Sequence, residues 1–179
     1  MRKTFILLLL VALQWVACQP GNKKNNAEPK NITWSVFDRN DYSISFPSDL
    51  KIDTSGANGT AFLLFTEPQG DGDVFVENLN LLIQKTEKQA ETLQDFVKLT
   101  ESQIKTSGKL LESKPINVNG NAGQKMVFNA NINGRAFKFL QYDFIKNNNA
   151  YVLTYSAEPK AYDNYLAQMQ KVMEGFKLK

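Results

Sequence analysis

The chain has no histidine and a single cysteine, Cys18, among its 179 residues. These two scarcities remove the commonest general base, the commonest metal ligand and the most reactive nucleophile together. A Ser-His-Asp or Cys-His site cannot be assembled, and the usual zinc sites, built from Cys and His, go with it. An enzyme made from this chain would have to work with carboxylates, lysine, tyrosine or serine, and local spacing places no pair of acids for glycoside hydrolysis. The expectation is a protein that is not an enzyme and holds no cofactor. Basic runs with interleaved aromatics are missing as well. The net charge of +3 and the pI near 8.9 reflect a small excess of scattered lysine, so no nucleic-acid partner is expected. Long apolar runs are also lacking. A spanning helix needs roughly 20 apolar residues, whereas the run over residues 5–13 meets polar Gln14 and then Gln19-Pro20-Gly21-Asn22.

That short run is nevertheless informative. Arg2 and Lys3 precede it, and Trp15-Val16-Ala17 brings small residues up to Cys18. A positive start, an apolar middle and a small-residue cleavage site make a secretory signal peptide. A cysteine directly after the cleavage point resembles the lipobox of bacterial lipoproteins, with Trp15 standing where that pattern usually has an aliphatic residue. The resemblance implies cleavage between Ala17 and Cys18 and acylation of the thiol with palmitate-type chains. A plain secreted protein would instead keep a free thiol in an oxidising compartment. The lipid bilayer, reached through acylated Cys18, is thus one expected partner. Gln19 in place of an aspartate after the cysteine favours the outer membrane, and the absence of an acidic cluster there favours its periplasmic side. Removal of residues 1–17 takes Arg2 and Lys3 away and leaves a nearly neutral chain of 162 residues, a length suited to one domain.

Residues 18–32 read as a tether. Beyond the anchor cysteine they are rich in Asn and Lys and hold two prolines, a composition too polar to fold. The body is expected over residues 33–179. Tyr42, Ile44 and Phe46 alternate with serines up to Pro47, and residues 61–66 and 79–83 read as two further strands. A short helix is expected within residues 47–53. Thr92, with Asp95 three positions on, signals the start of a helix over residues 92–107, and Ser107-Gly108 its end. Asn119-Gly120 and Asn133-Gly134 are tight-hairpin signals, and residues 147–149 form a looser turn. The strands between are expected at about 110–118, 122–132, 135–146 and 150–157. If Asn133-Gly134 is a two-residue loop, Phe128 faces Phe139 and Ala130 faces Phe137, while Ala136, Leu140, Tyr142 and Phe144 line the opposite face. Ile116 and Val118 then lie across the sheet from Phe128, which requires either a bulge near Gly123 or burial of that face. Tyr162, Tyr165, Leu166, Met169, Val172, Met173 and Phe176 form the apolar stripe of a last helix, with Pro159 in its first turn. The expected fold class is α+β: an α/β/α sandwich with a mainly antiparallel sheet of about 6–7 strands and helices on both faces.

The strings Tyr42-Ser43-Ile44-Ser45-Phe46-Pro47, Asn78-Leu79-Asn80, Asn119-Gly120 and residues 151–157 leading into the terminal helix and Phe176, in this order and spacing, resemble the PsbP/Mog1 superfamily over roughly residues 34–177. Leu50 is one departure, since these domains often carry tryptophan a few residues after the proline. The resemblance implies an α/β/α sandwich and a binding or assembly role. Its members include extrinsic subunits of the oxygen-evolving complex, a nuclear-transport GTPase cofactor and many bacterial lipoproteins. It therefore implies an unidentified envelope protein as the second partner. No calcium, chloride or GTPase-binding set can be carried over residue by residue.

Two constellations remain. Asp71, Asp73 and Glu77 match only a fragment of a calcium loop and read as a solvated acidic turn. Tyr142, Tyr151, Tyr155, Tyr162 and Tyr165, with Met169, either line a ligand groove between the last strands and the terminal helix or form a half-buried aromatic seam there. The first option makes the protein a carrier of a small apolar ligand. The second makes these residues core.

Overall fold

The computed structural model describes residues 32–68, 70, 75–86 and 90–179. Its elements in chain order are β1 (Trp34–Asp38), β2 (Tyr42–Pro47), β3 (Lys51–Asp53), β4 (Thr60–Phe65), β5 (Asn78–Lys85), α1 (Leu93–Ser107), β6 (Gly108–Val118), β7 (Asn121–Ile132), β8 (Arg135–Lys146), β9 (Asn149–Ala157), α2 (Pro159–Glu174) and β10 (Lys177–Leu178). Seven strands form one antiparallel sheet in the order β3-β4-β5-β9-β8-β7-β6, and β1-β2-β10 form a second, small sheet. The main sheet has α1 on one face. On the other lie α2 and the small sheet, which sends Tyr42, Ile44 and Phe46 into the largest core cluster. This is the expected α+β sandwich.

The hairpins follow from backbone chemistry. Asn119 and Gly120 have φ of 50° and 82°, and Asn133 and Gly134 have 53° and 81°, the doubly left-handed turn that suits the twist of the flanking strands. Phe128 pairs with Phe139 and Ala130 with Phe137, as the two-residue loop requires. The turn at Asn147-Asn148 is tighter than expected. Both residues have positive φ, and Asn149 already pairs with Lys146 in the ladder, because asparagine tolerates the left-handed region almost as glycine does. The alternatives for Ile116 and Val118 resolve in favour of burial. β6 and β7 run through Ile116↔Gly123 without a shift, the irregularity lies instead at Leu110–Glu112, and both side chains join the core on the α2 face. Ala136, expected on that covered face, is exposed beside the hairpin tip.

No helix forms over residues 47–53. A turn closed by Leu50 N–H donating to the Pro47 carbonyl at 3.1 Å buries Leu50 and lets β3 pair with the outer edge of β4. β1 and the separate sheet were not expected either, since their third strand comes from two residues at the far end of the chain.

The first helix starts where expected. Thr92 accepts from the Asp95 N–H at 3.2 Å, and its hydroxyl donates to the Asp95 carboxylate at 2.7 Å, satisfying one orphan donor of the first turn. Both ends of α2 are fastened to hairpin tips. Arg135 meets Glu158 at 3.1 Å at its start, and Asn119 Nδ2 donates to the Glu174 and Phe176 carbonyls at 2.9 and 2.8 Å at its end.

Candidate functional site

The two faces of the main sheet differ in chemistry, and each holds one arrangement of note. Against α2, the strand period of two places Leu140, Tyr142 and Phe144 of β8 beside Tyr151, Leu153 and Tyr155 of β9. The stripe of α2 packs on them. Tyr142, Tyr151, Tyr155, Tyr162 and Met169 are all buried, and Tyr165 is half-buried. The rings meet one another. Tyr155 stacks on Tyr162 with centroids 5.2 Å apart, and Tyr151 lies against Phe176 at 6.5 Å. Burial pushes the Tyr142 and Tyr162 hydroxyls up to about 12 and Tyr155 further up still, so all three are neutral at any physiological pH. The Tyr155 hydroxyl donates to the Tyr162 carbonyl at 2.9 Å, and Lys138 caps the outer face of the Tyr162 ring at 4.0 Å.

This geometry predicts a modest, purely structural effect for Tyr155→Phe. One buried hydrogen bond is lost without a cavity, so unfolding free energy should fall by about 1 kcal/mol, read from denaturant midpoints at constant slope.

The α1 face is different. Its apolar floor is divided into two clusters, one of Phe75, Ile104, Met126, Phe128, Phe137 and Phe139, the other of Ala90, Phe96, Ala150 and Val152. Between them runs a polar band. Gln141 of β8 is opposite Thr154 of β9, which is opposite Asn80 of β5, and Asp143 is opposite Gln124 of β7. Gln124 donates to the Ser113 hydroxyl at 2.7 Å. Ser113 in turn hydrogen-bonds Glu101 of α1, holding that carboxyl below the usual range with help from Lys105. At the centre, Asp143 is fully buried; its Oδ1 accepts from Gln141 Nε2 at 2.9 Å, and its Oδ2 has no hydrogen-bond partner. Burial pushes this carboxyl up to about 7, against the lowering influence of Gln141.

A carboxyl poised near neutrality is what general acid–base chemistry uses, but this one has no accessible surface. Its sequence signal was faint: an aspartate between Tyr142 and Phe144 in an apolar strand, a residue type depleted there. Of the acidic trio, Asp71 and Asp73 lie outside the described residues, and Glu77 is buried rather than solvated. Among the described residues no three potential metal ligands come together, and no helix is long and apolar enough to cross a membrane. Ala17 and Cys18 lie outside the described residues.

No protein-family model matches the sequence, and no curated protein matches it. Solved structures do. The chain is similar to the cyanobacterial PsbP protein (CyanoP) of Synechocystis, at 14% identity over 89% of this chain and 98% of that one, with a TM-score of 0.58. LpqN of Mycobacterium tuberculosis, involved in cell envelope biogenesis, matches at 12% identity over 83% and 92%, with a TM-score of 0.62. PA94 of Pseudomonas aeruginosa matches at 14% identity over 79% and 94%, with a TM-score of 0.53. These likenesses establish a PsbP-like fold, as the resemblance of the strings implied.

Proposed function

We propose that the protein is a bacterial envelope lipoprotein, held by acylated Cys18, whose PsbP-like domain binds a protein partner and catalyses nothing. The observation that carries this reading is the place of the only cysteine, at the end of a signal-like run and thirteen polar-rich residues ahead of a folded body. The absence of histidine supports a non-catalytic domain, as does the enclosure of the near-neutral carboxyl of Asp143 away from solvent. The likeness to LpqN supports an envelope setting, with the outer membrane and its periplasmic side favoured by Gln19 and by the lack of an acidic cluster after the cysteine. The carrier alternative asks the tyrosines to surround a ligand. Tyr155 packs on Tyr162 and Tyr151 on Phe176 instead, so partner binding is preferred.

The test is crosslinking in intact cells with mass spectrometry, comparing wild type with Cys18→Ser. The wild type should fractionate with membranes, yield an acylated N-terminal peptide beginning at Cys18, and enrich one envelope protein. Cys18→Ser should move to the soluble fraction and lose that crosslink, because stable anchoring depends on the acyl chains. A wild-type chain found soluble with an unmodified thiol would refute the anchor, and crosslinks to bulk lipoproteins alone would refute the partner.

A further inference from the structure

The small sheet has an outward face that the core does not use. Along β1, Phe37 points inward against Tyr42 and Phe62. The alternate positions, Ile32, Trp34 and Val36, are 50%, 42% and 65% exposed. Single exposed apolar residues are ordinary; three at alternate positions, two on the edge strand and one just before it, make a continuous stripe. Lysines border it. The register brings Ser45 and Ser43 of β2 and Lys177 of β10 to the same face. Lys171 of α2 sits 4.8 Å from the Trp34 ring centre. Asp38, at the end of β1, is paired with Lys179.

The stripe also begins where the tether ends. Ile32 follows Cys18 by fourteen positions, and the intervening segment carries Lys23, Lys24 and Lys30 against Glu28 alone. On the tether reading of that polar sequence, its reach is roughly 20 Å. A tethered surface is therefore present at an effective concentration on the order of millimolar, and a few weak contacts suffice to hold it. Tryptophan settles at the headgroup level of a bilayer, with apolar neighbours below it and lysines toward anionic lipid.

From this juxtaposition we infer that the Ile32–Trp34–Val36 face lies flat on the anionic bilayer that holds the anchor, so that the domain rests on the membrane and presents its remaining surface to the periplasm. The inference rests on the anchor reading above, and its test is built to stand apart from it. Residues 18–179 are coupled through Cys18, their only thiol, to maleimide-bearing lipid in vesicles of phosphatidylethanolamine and phosphatidylglycerol. Trp34 is then the only tryptophan. Its emission should shift to the blue on coupling and be quenched on the order of two-fold by acyl chains brominated near the headgroup. The quenching should weaken in zwitterionic vesicles, and it should be lost in Val36→Asp and reduced in Lys177→Glu, two exposed positions outside the core. Emission unchanged on coupling and unquenched in every vesicle would overturn the inference. So would specific crosslinking of a photoreactive residue at position 36 to one envelope protein in cells, with vesicles giving no quenching, since the stripe would then be a protein-docking edge. Absence of acylation in cells, with quenching intact on coupled vesicles, would sink the anchor reading and leave this face as a membrane-binding surface.

Discussion

Asp143→Asn should raise stability at pH 8 by a few kcal/mol and leave it unchanged at pH 4. In the folded protein the Asp143 carboxyl is pushed up to about 7 from an ordinary 3.8 by burial. Its folded-state value therefore lies above its unfolded one. Below pH 4 both states are protonated and the group contributes nothing. Between about 4 and 7 the folded chain holds a proton that the unfolded chain has released, so stability falls as pH rises; above 7 the loss is complete and flat. The gap corresponds to roughly 4 kcal/mol, which for a domain of this size is on the order of 10 °C in Tm. Asparagine keeps the acceptor that Gln141 uses and cannot ionise. The exposed or half-buried carboxyls held below their usual range, Asp38, Asp53, Glu101 and Glu112, act in the opposite sense and only on acidification through that range. Thermal melts of both proteins from pH 4 to pH 8 check this. Parallel curves, with no divergence above pH 5, would show that Oδ2 is solvated or paired and that the carboxyl titrates normally.

The same tension predicts local opening of the α1 layer. An ionised, half-satisfied carboxylate on the α1 face strains the layer that α1 forms, and α1 is held mainly by Phe96, Thr100 and Ile104. Local opening of α1 would hydrate Asp143 without disturbing the tyrosine seam on the opposite face. Amide exchange in α1 should therefore slow in Asp143→Asn at pH 8, while α2 keeps its wild-type protection.

Much of this architecture was legible because it is local. Asn119-Gly120 and Asn133-Gly134 specify their turns through two backbone angles each, and the register of the long hairpins follows by counting. The stripe on α2 reports its buried face for the same reason. The small sheet was not legible: β2 looks like any half-buried strand, and its separation from the main sheet depends on pairing with β1 on one side and on Lys177–Leu178 on the other. Trp34 and Val36 were unreadable for a related reason, because alternation shows that a strand has two faces and not which one is covered. Asp143 was hidden by the reverse problem. A single acid in an apolar strand acquires meaning only once α1 is seen to lie over that face.

Gly123 joins these threads, and its replacement should have the second large effect. Sequence periodicity left open whether this glycine marks a bulge; the ladder passes through it undisturbed, with Gly123 opposite Phe144. A Cβ there would lie 2.6 Å from Cδ1 and Cε1 of Phe144 and 2.8 Å from the Asp143 carbonyl oxygen. The missing side chain is thus the seat of the Phe144 ring, in the manner of an aromatic covering a strand glycine. Phe144 has nowhere to retreat. It is buried against Phe176, 5.8 Å between ring centres, and Phe176 is wedged in turn by Tyr42 and Tyr151. Gly123→Ala should therefore cost about 2–3 kcal/mol and Gly123→Val more, with loss of the near-ultraviolet aromatic signal before loss of secondary structure. Gly134→Ala is the matched control: nothing lies within 4 Å of its Cβ, and only its φ of 81° opposes the change, at about 1–2 kcal/mol. Shortening the obstructing ring in Gly123→Ala/Phe144→Leu should recover part of the loss, giving a coupling energy of about 1 kcal/mol in a double-mutant cycle. Additive costs would mean that the strand, and not the ring, resists the new methyl group.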